Sequence, residues 1–169
     1  MKKKTRKSPV CALCSTLGTM LLILVIVVCI PFTLPKILGC QAYSVISGSM
    51  EPKIPVGSLV YVGKVEPKEV QNGDVIAFYG GRDSSAIITH RVVENRVVMG
   101  EFITKGDANQ TNDMNPVEYE DFIGTVTVYI PKLGEVAQLL TSKDGKTASA
   151  CVIGLAVVLH VISMILSGS

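Results

Sequence analysis

Residues 87–93 read Ile-Ile-Thr-His-Arg-Val-Val, and this stretch decides the fold class. Most of its residues are β-branched, which is typical of a β-strand. Because side chains alternate across a strand, His90 is predicted to share a face with Ile88 and Val92. Five other short runs have the same character and are separated by turn residues: Leu59–Val62, Val75–Tyr79, Val97–Met99, Phe102–Thr104 and Ile123–Ile130. We therefore expect a small, mainly β domain, with a hairpin connection at Gly80–Asp83.

Two long apolar segments flank this β region. The first, residues 10–30, contains no charged residue, and at about 1.5 Å per residue it can cross a hydrocarbon core of roughly 30 Å. The second covers residues 148–166 and is also free of charge. We predict a transmembrane helix at each segment and one β domain over residues 40–131. Residues 132–147 should form a linker that contains a short helix, Leu133–Leu140.

Positive charge is concentrated at the N-terminus. The net charge is only +2, yet residues 1–9 include Lys2, Lys3, Lys4, Arg6 and Lys7. A basic cluster beside a transmembrane helix usually marks the cytoplasmic end of that helix. This explanation of such a cluster is more common than a nucleic-acid-binding patch. We therefore expect a cytoplasmic tail over residues 1–9, an extracytoplasmic β domain and no nucleic-acid partner. The first apolar segment exceeds the length of a secretory signal core, which favours an uncleaved anchor.

Cysteine usage indicates neither a disulfide scaffold nor a metal site. Cys40 is the only cysteine of the predicted β domain. The pair Cys11 and Cys14 has a redox or zinc spacing, but no second pair and no histidine accompanies it. We expect these residues to be ordinary parts of a membrane helix, and we expect no metal and no cofactor.

A serine-rich loop supplies a candidate nucleophile. Residues 47–52 read Ser-Gly-Ser-Met-Glu-Pro and follow the first apolar segment. A serine hydroxyl is a poor nucleophile until a base removes its proton, and His90 is the only histidine of the predicted β domain. A carboxylate must then orient the imidazole. Asp107 and Asp113 both lie in the polar loop that follows, and their spacing does not choose between them.

Four sequence boxes, taken in order, resemble type I signal peptidases. They are Ser47–Pro52, Gly73–Phe78, Thr89–Val92 and Lys105–Asn109, and the resemblance covers residues 43–134. The usual bacterial enzyme has a lysine base where this chain has His90. The chain is therefore similar to the endoplasmic-reticulum and archaeal branch, which some Gram-positive bacteria also carry. The second apolar segment agrees with that bacterial subtype.

The resemblance implies a role for each polar residue of the boxes. Ser49 would be the nucleophile and His90 the general base. Asp113 matches the triad acid of the family, and Asp107 matches a second aspartate that this branch needs. The oxyanion would be held by the backbone N–H of Ser49 and by the hydroxyl of Ser47.

The resemblance also implies a substrate cleft. A cleavage site that emerges in an extended conformation can pair with an exposed strand edge, while shallow pockets admit only small side chains. Our candidates for that edge are Asp74–Phe78 and Tyr43–Ile46, and Met50 would form the pocket wall behind the nucleophile. The expected substrate-binding residues are Met50, Asp74, Val75, Ile76, Ala77 and Phe78.

The sequence thus predicts a multi-pass cell-membrane serine endopeptidase that removes signal peptides from exported preproteins through an acyl-enzyme. Its expected partners are signal peptides, the lipid bilayer and the secretion translocon. A self-cleaving repressor-type protease would need a lysine base and a DNA-binding segment, and neither is evident. The remaining alternative is a non-enzymatic, membrane-tethered β module for envelope assembly, in which Ser49 and His90 have only structural roles.

Overall fold

The computed structural model describes residues 9–81 and 86–168. The basic cluster of residues 1–8 and positions 82 and 83 of the predicted hairpin connection lie outside these ranges. The elements are, in chain order, α1 (Pro9–Ile37), β1 (Gln41–Ser44), β2 (Leu59–Gly63), β3 (Val75–Tyr79), β4 (Ile87–Arg96), β5 (Glu101–Lys105), β6 (Val117–Glu118), β7 (Phe122–Ile130), α2 (Leu133–Thr141) and α3 (Lys143–Gly168).

The chain divides into two compact units. One consists of residues 34–138, and the other combines the N-terminal and C-terminal segments. In the first unit all seven strands form one curled antiparallel sheet, a half-barrel, in the order β1-β2-β7-β3-β4-β5-β6. The mainly β fold with a long apolar helix near each terminus confirms the predicted fold class.

Strand β3 lies at the centre of the sheet and packs on both of its faces. Ile76 and Ala77 are neighbours in sequence, both are fully buried, and they belong to different hydrophobic clusters. This follows from the alternation of side chains along a strand. Cluster 1 consists of Val45, Met50, Ile54, Val60, Val62 and Ala77. Cluster 2 consists of Val70, Ile76, Phe78, Val92, Phe102 and Val117.

Most of the predicted strands are confirmed, and one is wrong. Val97–Met99 has apolar, β-branched composition but forms the turn between β4 and β5. The N–H groups of Met99 and Gly100 both bond to the carbonyl of Arg96, and Gly100 has a φ of 72°. This left-handed residue completes the turn before β5 begins at Glu101, and glycine adopts the conformation without strain. The two-residue strand β6 was not predicted, because it is too short to show an alternating pattern.

The two apolar helices are each long and apolar enough to cross a membrane. Both exceed their predicted bounds, and α1 continues through Pro31 and Pro35 to Ile37. They pack as an antiparallel pair in which the hydroxyl of Ser163 donates to the carbonyl of Cys11 at 3.1 Å. A Cβ on Gly18 would lie 3.2 Å from the carbonyl oxygen of Ala156. Small residues thus bring the helices together, as in many membrane bundles.

Candidate active site

The loop between β1 and β2 holds Ser49 at its centre. The N–H of Val45 bonds to the carbonyl of Ser58, and the N–H of Gly57 bonds back to the carbonyl of Val45, both at 2.9 Å. Met50 is fully buried in cluster 1, and Ile54, whose N–H bonds to the Met50 carbonyl at 2.8 Å, is 2% exposed. Ser49 itself is half-buried. The burial of its successor therefore fixes the backbone position of Ser49.

Strand β4 holds His90 on the face of cluster 2. The imidazole packs edge-on against Phe78, with ring centroids 6.1 Å apart. Its Nδ1 lies 2.5 Å from Oδ2 of Asp113. The side chains of His90 and Asp113 are only 12% and 21% exposed. A carboxylate at this position accepts the Nδ1 proton, which leaves Nε2 of a neutral imidazole free to accept another.

Strand β5 supports Asp113 from a second direction. The hydroxyl of Thr104, which is fully buried, donates to Oδ2 of Asp113 at 2.6 Å. The backbone N–H of Asp113 also bonds to the carbonyl of Thr104 at 2.8 Å. One carboxylate oxygen thus accepts hydrogen bonds from two different strands.

Asp107 faces Arg91 instead of His90. The guanidinium donates to both carboxylate oxygens of Asp107, from Nε at 2.8 Å and from Nη2 at 2.5 Å. Its Nη1 donates to the carbonyl of Gly73 at 2.7 Å. The side-chain hydrogen bonds to Asp107 raise the pKa of Arg91 above its ordinary value, so the guanidinium stays charged. The structure therefore gives the two aspartates different partners.

Gly106 marks the point where the nucleophile loop meets the imidazole. A Cβ on Gly106 would lie 2.5 Å from the carbonyl oxygen of Ser49 and 3.1 Å from Nε2 of His90. The N–H of Ala108 bonds to the same Ser49 carbonyl at 2.9 Å. The loop after β5 thus contacts both residues, and only glycine leaves room for them at this position.

Among the described residues, the Ser49 hydroxyl makes no hydrogen bond to His90, although the Ser49 carbonyl and His90 Nε2 both lie beside Gly106. Its hydrogen-bonding partner is Oγ of Ser47, at 3.5 Å. Within residues 9–81 and 86–168, no group accepts a hydrogen bond from the Ser49 N–H. Catalytic hydrogen bonds are often open before substrate binds. The arrangement therefore offers a hydroxyl, a base and an unused backbone donor in one place.

The predicted substrate edge at Asp74–Phe78 is wrong. Strand β3 pairs with β4 over Val75–Tyr79 and with β7 over Ile76–Phe78, so both of its edges are occupied along Ile76–Phe78. Ile76, Ala77 and Phe78 are core residues, and the carboxylate of Asp74 accepts the N–H of Gln71 within its own turn. The sequence pattern predicts this strand correctly, but it does not show which strands lie on either side of it in the sheet. Val75 remains half-buried beside cluster 1.

Two other strand edges are open. Among the described residues, strand β1 lies at the end of the sheet and pairs only with β2, so the predicted edge at Tyr43–Ile46 has a free side there along Tyr43 and Ser44. On β4, pairing with β5 begins at Arg91, so in the described structure Ile87–His90 pairs only with β3. Tyr43 and Ile87 both pack against cluster 1, which contains Met50.

Two residues of the site had no assigned role in the sequence. Arg91 lies in a recognised box, and its position beside His90 on a strand places it on the opposite face, where it meets Asp107. Thr104 has no local signal, because a threonine in a strand is ordinary. Within the described parts of the chain, no cluster of three His, Cys, Asp or Glu side chains could hold a metal ion.

Comparison with known proteins places this geometry in a family. The family described as "Signal peptidase, peptidase S26" matches residues 16–96. The signal peptidase complex catalytic subunit SEC11 of Komagataella phaffii is 34% identical over 126 residues, which are 66% of this chain and 71% of that protein. The chain belongs to the signal peptidase family.

Other relatives agree with this membership. The SEC11 subunit of Fusarium vanettenii is 35% identical over 127 residues, or 69% of this chain and 73% of that protein. Signal peptidase I W of Bacillus subtilis is 42% identical over 91 residues, or 52% of this chain and 46% of that protein. The chain thus spans about half of the Bacillus relative. These names confirm the resemblance to the endoplasmic-reticulum and archaeal branch of signal peptidases.

Proposed function

We propose that this protein is a membrane-bound serine endopeptidase that removes signal peptides from exported preproteins. The observation that carries the proposal is the hydrogen bond between His90 Nδ1 and Asp113 Oδ2. In addition, Nε2 of His90 and the carbonyl oxygen of Ser49 both lie next to Gly106. Membership of the signal peptidase family supports the same activity.

The proposed reaction proceeds through an acyl-enzyme. Ser49 Oγ attacks the carbonyl carbon of the scissile peptide while Nε2 of His90 takes the hydroxyl proton. The Asp113 carboxylate stabilises the imidazolium that forms. The N–H of Ser49 and the hydroxyl of Ser47 donate to the oxyanion. His90 then protonates the leaving amine, and a water activated by the same imidazole hydrolyses the ester.

A small movement prepares the site for this chemistry. The Ser49 hydroxyl now faces Ser47 at 3.5 Å, and rotation of its side chain can direct it to His90 instead. The carbonyl of Ser49 is already held by the Ala108 N–H. We expect the backbone to stay in place while the side chain turns.

The substrate segment is proposed to bind along the open edges of β1 and β4. Unpaired backbone groups at Ile87–Thr89 adjoin His90, and a strand added there would bring a peptide bond to the base. Met50, Val45 and Ile87 supply an apolar wall from cluster 1. We expect this wall to leave space only for small side chains before the scissile bond.

Asp107 is proposed to support the loop and not the imidazole. Its ion pair with Arg91, whose Nη1 also holds the Gly73 carbonyl, ties the loop after β5 to the turn before β3. Gly106 and Ala108 on either side contact the Ser49 carbonyl. The Arg91–Asp107 pair would thereby keep the backbone of Ser49 in its position in the site.

The membrane arrangement is also a proposal. Two helices that could span a bilayer and the basic cluster before the first of them support a cytoplasmic N-terminus and an external β domain. Signal peptides emerge at that face, and the secretion translocon that delivers them is the proposed neighbour.

The non-enzymatic alternative would leave the bonded His90–Asp113 pair beside Ser49 without a role.

We expect the purified protein to cleave preproteins at one site that follows a small residue. Replacing that residue with Leu or Trp should block cleavage, because the apolar wall cannot accommodate it. Ser49→Ala should be inactive, whereas Ser142→Ala, between α2 and α3, should keep full activity. The products are measured by gel analysis and N-terminal sequencing. Cleavage by a folded Ser49→Ala protein would reject the proposed nucleophile.

We expect unequal effects from the two aspartates. Asp113→Asn keeps the shape of the side chain but can hold the wrong imidazole tautomer, so turnover should fall by up to about 10⁴-fold with an unchanged melting temperature. Asp107→Asn removes a charge from the Arg91 pair, so it should lower the melting temperature as well as activity. Asp121→Asn, between β6 and β7, is the matched control. An active Asp113→Asn protein beside a dead but fully folded Asp107→Asn protein would reverse the roles.

We expect cysteine labelling to report an external β domain. In a variant whose native cysteines are replaced by serine, Val98→Cys should react with an impermeant maleimide in intact cells, since Val98 is fully exposed. Thr5→Cys should react only after lysis. The opposite pattern would invert the topology and exclude exported preproteins as substrates.

A further inference from the structure

We infer that Thr104 is a positioning residue of the catalytic reaction, acting through Asp113. The inference rests on the proposed function and adds a fourth member to the Ser49, His90 and Asp113 arrangement. Thr104 does not contact the nucleophile. Its proposed task is to hold the carboxylate in the orientation that His90 requires.

Both donors meet the same carboxylate oxygen. Oδ2 of Asp113 accepts from Thr104 Oγ1 at 2.6 Å and lies 2.5 Å from His90 Nδ1. The backbone N–H of Asp113 bonds to the Thr104 carbonyl at 2.8 Å. Thr104 therefore fixes Asp113 by its main chain and by its side chain together. A carboxylate whose Oδ2 is held by Thr104 and whose main chain is tied to the same residue keeps that oxygen directed at the imidazole.

Thr104 is itself immobile. The residue is 0% exposed and lies opposite Val92 in the antiparallel pairing of β4 and β5. A β-branched side chain has few χ1 states, so its hydroxyl has a fixed direction. The hydroxyl has one proton, and that proton is committed to Asp113. Because β4 also holds His90, the base and its acid are positioned from the same pair of strands.

A purely structural role would give a different result from a positioning role. If the hydroxyl only satisfied a buried polar group, its removal would lower stability and leave the rate of the folded enzyme unchanged. If it orients Asp113, its removal must lower kcat with little change in KM, because the substrate does not contact Thr104. The conservative Ser variant, which keeps the hydroxyl, must then restore the rate.

The test compares Thr104→Val and Thr104→Ser in the full-length protein with a cleavable preprotein. A hydrogen bond to a charged group corresponds to about 10- to 100-fold in rate, so kcat of Thr104→Val should fall by that factor with KM within about twofold. Thr104→Ser should stay close to wild type. Thr127→Val is the matched control, since its hydroxyl bonds to the backbone carbonyl of Tyr61 on another strand. The control should retain wild-type kcat.

A second pair of variants covers the case in which Thr104→Val does not fold. Thr104→Ser and Thr104→Ala both lack the γ-methyl group and differ from each other only by the hydroxyl, so kcat should again differ by about 10- to 100-fold. In an Asp113→Ala background, adding Thr104→Ala should cause no further loss, because both changes act through one carboxylate.

Three outcomes would overturn the inference: equal kcat for the Ser and Ala variants, a kcat of folded Thr104→Val within twofold of wild type, or a full additional loss in the Asp113→Ala background. If Ser49→Ala is inactive and any of these occurs, only the role of Thr104 fails. Normal cleavage by Ser49→Ala would instead reject the proposed function.

Discussion

The hydrogen bond between His90 and Asp113 is the constraint on which the rest of the site depends. The two residues are 23 positions apart, and they meet only if β4 and β5 pair in the observed register. A slip of one residue would turn His90 to the opposite face of the sheet. The pairing of strands in the sheet therefore brings the base, His90, and the acid, Asp113, together. The turn at Val97–Met99 matters for function because it joins β4 to β5 and thereby helps to set this register.

Consecutive residues on β4 serve two different aspartates. His90 points to the face of cluster 2 and meets Asp113, whereas Arg91 points to the other face and pairs with Asp107. Both aspartates lie in the same loop, and the Gly106 and Ala108 part of that loop contacts the Ser49 carbonyl. One loop thus connects the nucleophile to both faces of β4. A change in the Arg91 pair should therefore reach Ser49 through this loop.

Local sequence patterns predicted the individual strands better than they predicted which strands lie next to each other in the sheet. The alternation in residues 87–93 gave the correct face for His90, and the run Val75–Tyr79 is a strand with the predicted bounds. The order of strands cannot be read from a single sequence, since it depends on contacts distant along the chain. For that reason the sequence predicts β3 as an open substrate edge, although Ile76–Phe78 is paired on both sides.

Polar contacts between residues that are distant along the chain were equally difficult to predict from the sequence. Asp107 and Asp113 could not be distinguished by spacing, because their partners, Arg91 and His90, lie distant along the chain on opposite faces of β4. Thr104 gave no signal, since its hydroxyl acquires a role only where the chain returns at Asp113. Composition did predict the two apolar helices, although not their full length, because prolines normally end helices and α1 continues through two of them.

The central claim is that Ser49, His90 and Asp113 act as one unit, and a mutant cycle tests it most directly. The measurement is kcat/KM for preprotein cleavage by Ser49→Ala, His90→Ala and the double variant, each folded as judged by its melting temperature. Residues that act as a unit give non-additive losses, so the account predicts that both single variants fall to a similar residual rate and that the double variant is no slower. Independent losses that multiply in the double variant, or normal cleavage by a folded His90→Ala protein, would contradict it.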